Sequence, residues 1–353
     1  MDLPLDRFEN VAQVGGIWTA TLDNGPGRGS RVALVQTGGG LRYTVALDRG
    51  MDIVDAFFNR HALAYLTLNG IKPPSHAYHR GEEWLAGWPA GLVTTCGPTH
   101  IGMAPDHSGS PRSLHGNYSS QPAEIEMLVN PRPQTNRDEM LISGVIRDSR
   151  AYGPNTEVRR TIQSALMSND ITLFDQTTNL DPYTRDHGLM YHVNFGWPLL
   201  DDGSRLVMAG HIQPWPDQMQ NAPLPDKPEG YKHVPPPSEA FTTASRGFIC
   251  TPATDPDGDA HVGLVNDRLG LAVELVFAVR QIPRVMVWQH YAAGMYVCGV
   301  EPLVGTPFGR QAEPDHHVQL APGQMRASEL MIRVHDNAEA IEAFAAHDGE
   351  LSL

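Results

Sequence analysis

Two residues far apart in the chain could carry proton-transfer chemistry. His192 lies within the run 189–198, and Glu301 lies within the run 298–302. In each run β-branched and aromatic neighbours are closed by a glycine or proline, which is typical of a strand presenting a titratable side chain. An imidazole and a carboxylate presented in this way form a plausible general acid and general base.

Both residues also have purely structural interpretations. Burying the acidic Glu301 without a partner or a task would be costly, yet a strand-end glutamate exposed to water fits the same pattern. The chain has 16 histidines, and a single histidine is more often structural than catalytic. Glycine, proline or aromatic residues lie near six of these histidines, and this co-occurrence favours a functional site. The six are His100, His107, His115, His187, His192 and His290.

The elements that must position these side chains are mostly strands. β-type runs at 17–22, 31–36 and 41–47 alternate with Gly-rich connectors. This alternation predicts an antiparallel meander. Because no amphipathic helix separates the later runs, their spacing favours a sandwich. Apolar residues at helical spacing predict one helix over 337–346. The later strands are predicted at about 124–129, 140–147, 157–163, 171–178, 261–265, 271–277, 285–290, 295–300 and 330–334.

Two proline-rich inserts, at about 70–120 and 212–240, interrupt this pattern. Long aperiodic stretches in compact proteins are more often functional than idle. The first insert contains Thr94–His100 and Ser113–Tyr118, each with a histidine beside a glycine or proline. On residue types alone, 48–53 is interpreted as a solvated turn. We find no repeat or linker, so a single domain over 1–353 is expected.

Composition and net charge limit the classes of partner that this protein could bind. The 353 residues are 41% hydrophobic and 19% charged, which predicts an ordinary globular core. The net charge of −14 argues against nucleic acid and anionic membranes. Three widely spaced cysteines without a CxxC pair indicate neither disulfides nor structural zinc. Since no signal or membrane segment is found, a cytoplasmic location is expected. The oligomeric state is left open, with a homodimer as one option.

Several motifs, taken in order, resemble the aldose 1-epimerase (galactose mutarotase-like) superfamily. Leu114–Gly116, Tyr191–Phe195 and Val300–Pro302 follow one another in a β-rich chain, and the run from Trp288 to Gln324 is similar to the superfamily's C-terminal part. Asp48–Ile53 and Thr94–His100 resemble a branch of these proteins grouped as a domain of unknown function (DUF4432). The resemblance spans roughly 15–335.

The resemblance implies a β-supersandwich with few short helices, whose concave face binds a sugar. Glu301 would be the general base, His192 the general acid and His115 a sugar contact. The run Val-Asn-Phe-Gly at 193–196 departs from the Tyr-Phe-Asn-Leu type run of mutarotases, and their sugar-binding aspartate has no clear match here. The predicted substrate-binding residues are Arg49, Asp52, His100, His115, Asn194, His290 and Arg310.

The predicted reaction is mutarotation of a sugar without a cofactor. Alternatively, three or four of His100, His107, His115, His192 and Glu301 could bind a divalent metal, giving an isomerase or lyase on a keto-sugar or uronate. A third interpretation is a non-catalytic carbohydrate-binding protein. In each case Trp84, Trp88 and Trp197 could stack on sugar faces.

Overall fold

The computed structural model describes residues 3–102 and 112–353, and most of its regular structure is strand. The strands are β1 Gly16–Thr21, β2 Arg31–Gln36, β3 Leu41–Ala46, β4 Asp52–Phe58, β5 His61–Ala62, β6 Val93–Cys96, β7 Ala123–Val129, β8 Glu139–Asp148, β9 Thr156–Ala165, β10 Asp170–Asn179, β11 Arg185–His187, β12 Leu189–Phe195, β13 Arg205–Val207, β14 Gly210–Pro214, β15 Arg246–Pro252, β16 Asp259–Asn266, β17 Leu271–Ala278, β18 Arg284–Tyr291, β19 Tyr296–Val304, β20 Val318–Leu320, β21 Met325–His335 and β22 Leu351–Ser352. The α-helices are α1 Trp84–Gly87 and α2 Ala338–Ala345. Short 3-10 helices lie at Val11–Gln13, Gly25–Gly27, His76–His79, Tyr118–Ser120, Pro133–Thr135, Asp217–Met219, Pro228–Lys232, Glu239–Phe241 and Pro314–His316.

Two large sheets carry the fold. A twelve-stranded sheet has the order β1-β2-β3-β4-β6-β12-β19-β18-β15-β14-β22, with β5 paired to β4. An eight-stranded sheet has the order β13-β16-β17-β21-β10-β9-β8-β7, and β11 pairs with β20. Apolar residues from both large sheets belong to one buried core cluster. The predicted mostly β fold with few short helices is therefore confirmed.

Side-chain alternation gives the middle of the twelve-stranded sheet two different faces. In β12, Tyr191, Val193 and Phe195 belong to the core shared with the other sheet. Met190 belongs to a second buried cluster, which contains Trp84 of α1 and other residues of the first insert. Because successive strand residues point to opposite faces, His192 shares the face of Met190.

The first insert contains a strand that the sequence did not predict. β6 pairs with β12 on one side and with β4 on the other, so part of this proline-rich segment lies in the middle of the sheet.

The prediction that the turn at 48–53 is exposed to solvent is wrong. The chain does turn there, but Arg49, Met51 and Asp52 are buried.

The predicted C-terminal helix is confirmed over Ala338–Ala345. It begins after Asn337, whose side chain accepts a hydrogen bond from the Ala340 N–H at 2.9 Å, as expected for an N-cap. No helix among the described residues has the length and apolar character needed to cross a membrane. The single domain over 1–353 and the homodimer option stay predictions.

Candidate active site

His192 and Glu301 are direct neighbours on adjacent antiparallel strands. Val193 pairs with Val300 and Met190 pairs with Leu303, so a constant register places His192 opposite Glu301. The Nε2 atom of His192 lies 3.2 Å from Oε1 of Glu301. The sheet thus brings together the two residues that the sequence placed about a hundred positions apart.

Gly299 makes room for the Glu301 carboxyl group. It lies two residues before Glu301 in β19, and therefore on the same face. A Cβ atom at this position would lie 2.2 Å from Oε1 of Glu301 and 3.4 Å from Cε1 of His192. The backbone of Gly299 has no positive φ. Glycine is required here because it has no side chain, and not because the backbone adopts an unusual conformation.

Burial controls the protonation of the pair. Glu301 is fully buried and His192 is 5% exposed. Burial raises the pKa of Glu301 well above its ordinary value and lowers the pKa of His192 to about 3. Among the described residues no group makes a well-formed hydrogen bond to either Glu301 oxygen or to Nδ1 of His192. Burial therefore favours the protonated carboxyl group of Glu301 beside a neutral His192 imidazole.

The pair faces a largely apolar cavity of about 200 Å³. The rings of Trp88 and Trp288 lie 5.6 and 5.7 Å from the His192 ring. Their indole N–H groups are already used, Trp88 donating to Thr94 Oγ1 at 3.0 Å and Trp288 to Ser245 Oγ at 2.9 Å. These bonds hold both rings beside the pair. Other lining residues include Trp84, Trp215, Met286 and Phe308.

His115 also lines the cavity. Its ring lies 5.6 Å from the His192 ring and 5.0 Å from the Trp84 ring. Its Nδ1 accepts a hydrogen bond from the Gly102 N–H at 3.2 Å. Burial, together with His192 and His100, lowers the pKa of His115 well below its ordinary value. The neutral ring then carries its proton on Nε2, which leaves one N–H donor beside the pair.

Asn194 and His290 lie on the sheet face that carries the pair, but both are bonded to protein groups. The Asn194 amide is fully buried and donates to the carbonyl groups of Gly91 and His192. Nδ1 of His290 lies 3.0 Å from Ser245 Oγ, the atom that also accepts from Trp288. In this structure both residues position their neighbours, and neither lines the cavity.

Asp52 and Arg49 lie away from the cavity lining. Oδ1 of Asp52 accepts from the Thr95 N–H at 2.9 Å and lies 3.4 Å from Nη1 of Arg160. Burial raises the pKa of Asp52 to about 7, although Arg160 and Thr95 oppose this. Arg49 is buried with its guanidinium 5.7 Å from the Tyr78 ring. The substrate-binding role of these two residues stays a prediction.

His100 and Arg310 lie apart from the pair as well. His100 lines a separate polar cleft of about 470 Å³, and its Nε2 lies 2.9 Å from the Ser113 carbonyl oxygen. Arg310 is exposed and acts electrostatically on Asp186, which lines the same cleft. His107 lies outside the described residues.

The alternative metal set does not come together as a compact group. Within 3–102 and 112–353, a convergence of three or more His, Cys, Asp or Glu ligand atoms is found only at His261, Glu274 and His347. His115, His192 and Glu301 share the cavity, whereas His100 faces the other cleft.

Sequence reasoning missed two residues that shape the site, Trp288 and Gly299. Trp288 pairs with Gly299 across β18 and β19, so both lie on the face that carries Glu301. The alternation of β19 around Glu301 is the signal that could have revealed Gly299. Of the three tryptophans predicted to stack on a sugar, Trp84 and Trp88 line the cavity, while Trp197 is 69% exposed and lies outside it.

Two packed, mostly antiparallel sheets, with an imidazole and a carboxyl group side by side on the outer face of the larger one, form a galactose mutarotase-like β-supersandwich. The chain belongs to the family described as "Domain of unknown function (DUF4432)", which it matches over residues 27–334. The predicted branch is therefore confirmed. No curated protein matches the sequence at a significant level.

Solved structures support the same fold. A "putative aldose 1-epimerase" from Klebsiella pneumoniae superposes with a TM-score of 0.85 at 21% identity, covering 98% of this chain and 92% of that chain. A galactose mutarotase-like protein from Clostridium acetobutylicum gives a TM-score of 0.59 at 10% identity, with 91% and 99% coverage. The galactose 1-epimerase from Lactobacillus acidophilus gives the same TM-score, identity and coverage.

Proposed function

We propose that this protein interconverts the anomers of a sugar by acid–base ring opening, as an aldose 1-epimerase does. The observation that carries the proposal is the 3.2 Å contact between His192 Nε2 and Glu301 Oε1, beside a cavity. A buried carboxyl group whose oxygens make no well-formed hydrogen bond to a described residue costs stability, and a catalytic role explains that cost better than a role in folding.

Mutarotation needs one proton removed from the anomeric hydroxyl and one delivered to the ring oxygen. As the C1–O5 bond breaks, one member of the pair takes the first proton while the other gives the second. The roles reverse when the ring closes on the other face of C1. The family resemblance assigns Glu301 as base and His192 as acid. The ion pair this requires has the same total protonation as the neutral pair, so proton transfer between the two residues interconverts them.

The cavity fits a small carbohydrate ligand. A pyranose ring has C–H faces that pack on aromatic rings, and Trp88 and Trp288 flank the His192 ring. In this proposal the His115 N–H donates to a sugar hydroxyl. Since each positioned acid or base contributes about 10²–10⁴-fold, the proposed reaction requires only these two groups.

The test is anomer interconversion measured by polarimetry on a panel of aldoses. His192→Ala and Glu301→Gln should each abolish the acceleration, while His211→Ala, at an exposed histidine of β14, should retain it. Undiminished turnover in either site variant would remove that residue from its role. Saturable sugar binding without acceleration by the wild-type protein would instead support a carbohydrate-binding protein.

The pH dependence of the rate gives a second test of the pair. The active protonation state has one proton in the pair, so a second proton inactivates it at low pH and loss of the first inactivates it at high pH. The acid limb should lie near the lowered His192 pKa of about 3. Because burial raises the Glu301 pKa, the alkaline limb should lie well above the ordinary range of a glutamate.

A further inference from the structure

A second cluster of chemically active side chains lies on the outer face of the eight-stranded sheet. Nitrogen atoms of His261 and His347 and a carboxylate oxygen of Glu274 all lie within 4.8 Å of one another. His261 is in β16, Glu274 is in β17, and His347 follows α2. None of the three lines the cavity beside His192, so this cluster plays no part in the proposed sugar chemistry.

Strand alternation explains why these residues meet outside the core. Val262 and Leu264 of β16, and Val273 and Leu275 of β17, point into the core between the sheets. His261 and Glu274 must then point outward. Phe344 of α2 packs on this outer face with Val207, Val265 and Ala272. The helix therefore delivers His347 to the edge of the cluster.

Asp255 and His335 bond to the remaining polar atoms of His261 and Glu274. His261 Nδ1 lies 2.6 Å from Glu274 Oε1, and its Nε2 lies 3.2 Å from Asp255 Oδ2. The second oxygen of Glu274 lies 2.8 Å from His335 Nε2. Metal-binding histidines usually give their other nitrogen to a carboxylate, and metal-binding carboxylates are hydrogen-bonded in turn. The cluster reproduces this outer-shell pattern.

We propose that His261, Glu274 and His347 bind a zinc ion, with Asp255 and His335 as outer partners. Two imidazoles and one carboxylate are a common zinc ligand set, and water completes the tetrahedron. Bonds of about 2.0–2.2 Å place neighbouring tetrahedral ligand atoms roughly 3.3 Å apart. The 2.6 Å contact between His261 and Glu274 must therefore widen. The His347 ring, stacked 3.9 Å from the His261 ring, must tilt to share the ion.

In this proposal the bound ion stabilises the packing of the C-terminal helix. The ion would connect β16 and β17 to the chain that leaves α2, and so fasten the C-terminal helix to the sheet. The His261 side chain is 16% exposed and His347 is exposed, so solvent reaches both nitrogen ligands. A ligand that binds only the folded chain stabilises it.

Zinc titration of tag-free, chelator-treated, full-length protein tests the proposal. The wild-type protein should bind one equivalent of Zn²⁺, measured by elemental analysis after desalting, and its Tm should rise by about 4 °C at a hundredfold excess over Kd. Cobalt(II) in place of zinc should give the intense visible absorption of a tetrahedral site. His347→Ala should weaken binding by at least about tenfold without unfolding the protein, because this side chain is exposed.

Two controls separate this site from zinc binding elsewhere on the chain. His211→Ala removes an exposed histidine of β14 and should leave the stoichiometry at one. His192→Ala should also keep its zinc, because His192 belongs to the other sheet. Failure of the wild-type protein to bind zinc stoichiometrically would overturn the proposal, as would unchanged binding in His347→Ala. Loss of zinc in His192→Ala would place the metal at the catalytic pair instead.

Discussion

Substituting Gly299 by alanine should disable the site without removing either proton-transfer group. The added Cβ would lie 2.2 Å from Glu301 Oε1 and 3.2 Å from its Cδ. Unstrained carbon–oxygen contacts need well over 3 Å, so the carboxyl group must retreat by about 1 Å. The carboxyl would then leave the position in which Oε1 lies 3.2 Å from His192 Nε2.

The expected loss in kcat/KM is about a hundredfold. A misplacement of about 1 Å at a reacting group costs on the order of 10²-fold, which corresponds to about 2.7 kcal/mol of transition-state stabilisation. The strand itself should tolerate alanine, because Gly299 has no positive φ. Circular dichroism and the Tm should therefore show a folded protein.

The assay is anomer exchange by NMR on the sugar that the wild-type protein turns over fastest. A double-mutant cycle on the free energy of unfolding supplies the control, since Gly299→Ala should cost less stability in a Glu301→Ala background, where the carboxyl group is absent. Full activity in the single variant, with the Glu301 carboxyl seen displaced in its crystal structure, would refute the role of that group. Equal losses in both backgrounds would show that the damage does not act through Glu301.

Further predictions concern stability and binding. Arg160→Leu should destabilise the fold by about 3–5 kcal/mol in urea, because it leaves buried Asp175 without its 2.6 Å partner; a loss below about 1 kcal/mol would contradict this. Burial raises the folded-state pKa of Glu301 above 4.5, so the stability that this group contributes to the wild-type protein falls as the pH rises above 4.5. Glu301→Gln should therefore gain stability relative to wild type as the pH rises above 4.5, by up to roughly 1.4 kcal/mol per pH unit; a constant difference would contradict the raised pKa. Trp288→Leu should raise KM about tenfold with little change in kcat, whereas Trp197→Leu, at an exposed tryptophan outside the cavity, should change neither.

Much of the sheet structure could be predicted because its strands have clear signals. The β2 prediction of 31–36 matches Arg31–Gln36, and the strand around 171–178 lies within Asp170–Asn179. Alternating or continuous apolar runs between turn residues are enough to indicate such strands. β19 was predicted only to residue 300, because Pro302 is unfavourable in a strand interior. The observed strand continues to Val304.

The contacts between elements could not be predicted. β6 looked like loop because prolines surround it, but tertiary pairing with β4 and β12 places it in the sheet. The charged turn at 48–53 looked solvated because its partner is distant in sequence. Arg160, about 110 residues later, bonds to the Gly50 carbonyl oxygen and lies 3.4 Å from Asp52. A single sequence does not reveal this compensation.

The candidate site, too, could be predicted only in part. His192, Glu301 and His115 could be identified from residue type and motif order, and the structure places all three around one cavity. That His192 and Glu301 face each other depends on the register between β12 and β19, which the sequence does not specify.

The decisive experiment for the acid–base pair is a crystal structure of Glu301→Gln soaked with the fastest-exchanging sugar of the panel. We expect a pyranose packed against Trp88 and Trp288, with its anomeric oxygen and ring oxygen within hydrogen-bond distance of residues 192 and 301. A sugar bound in the polar cleft beside His100, with the cavity at His192 left to solvent, would contradict the proposed chemistry.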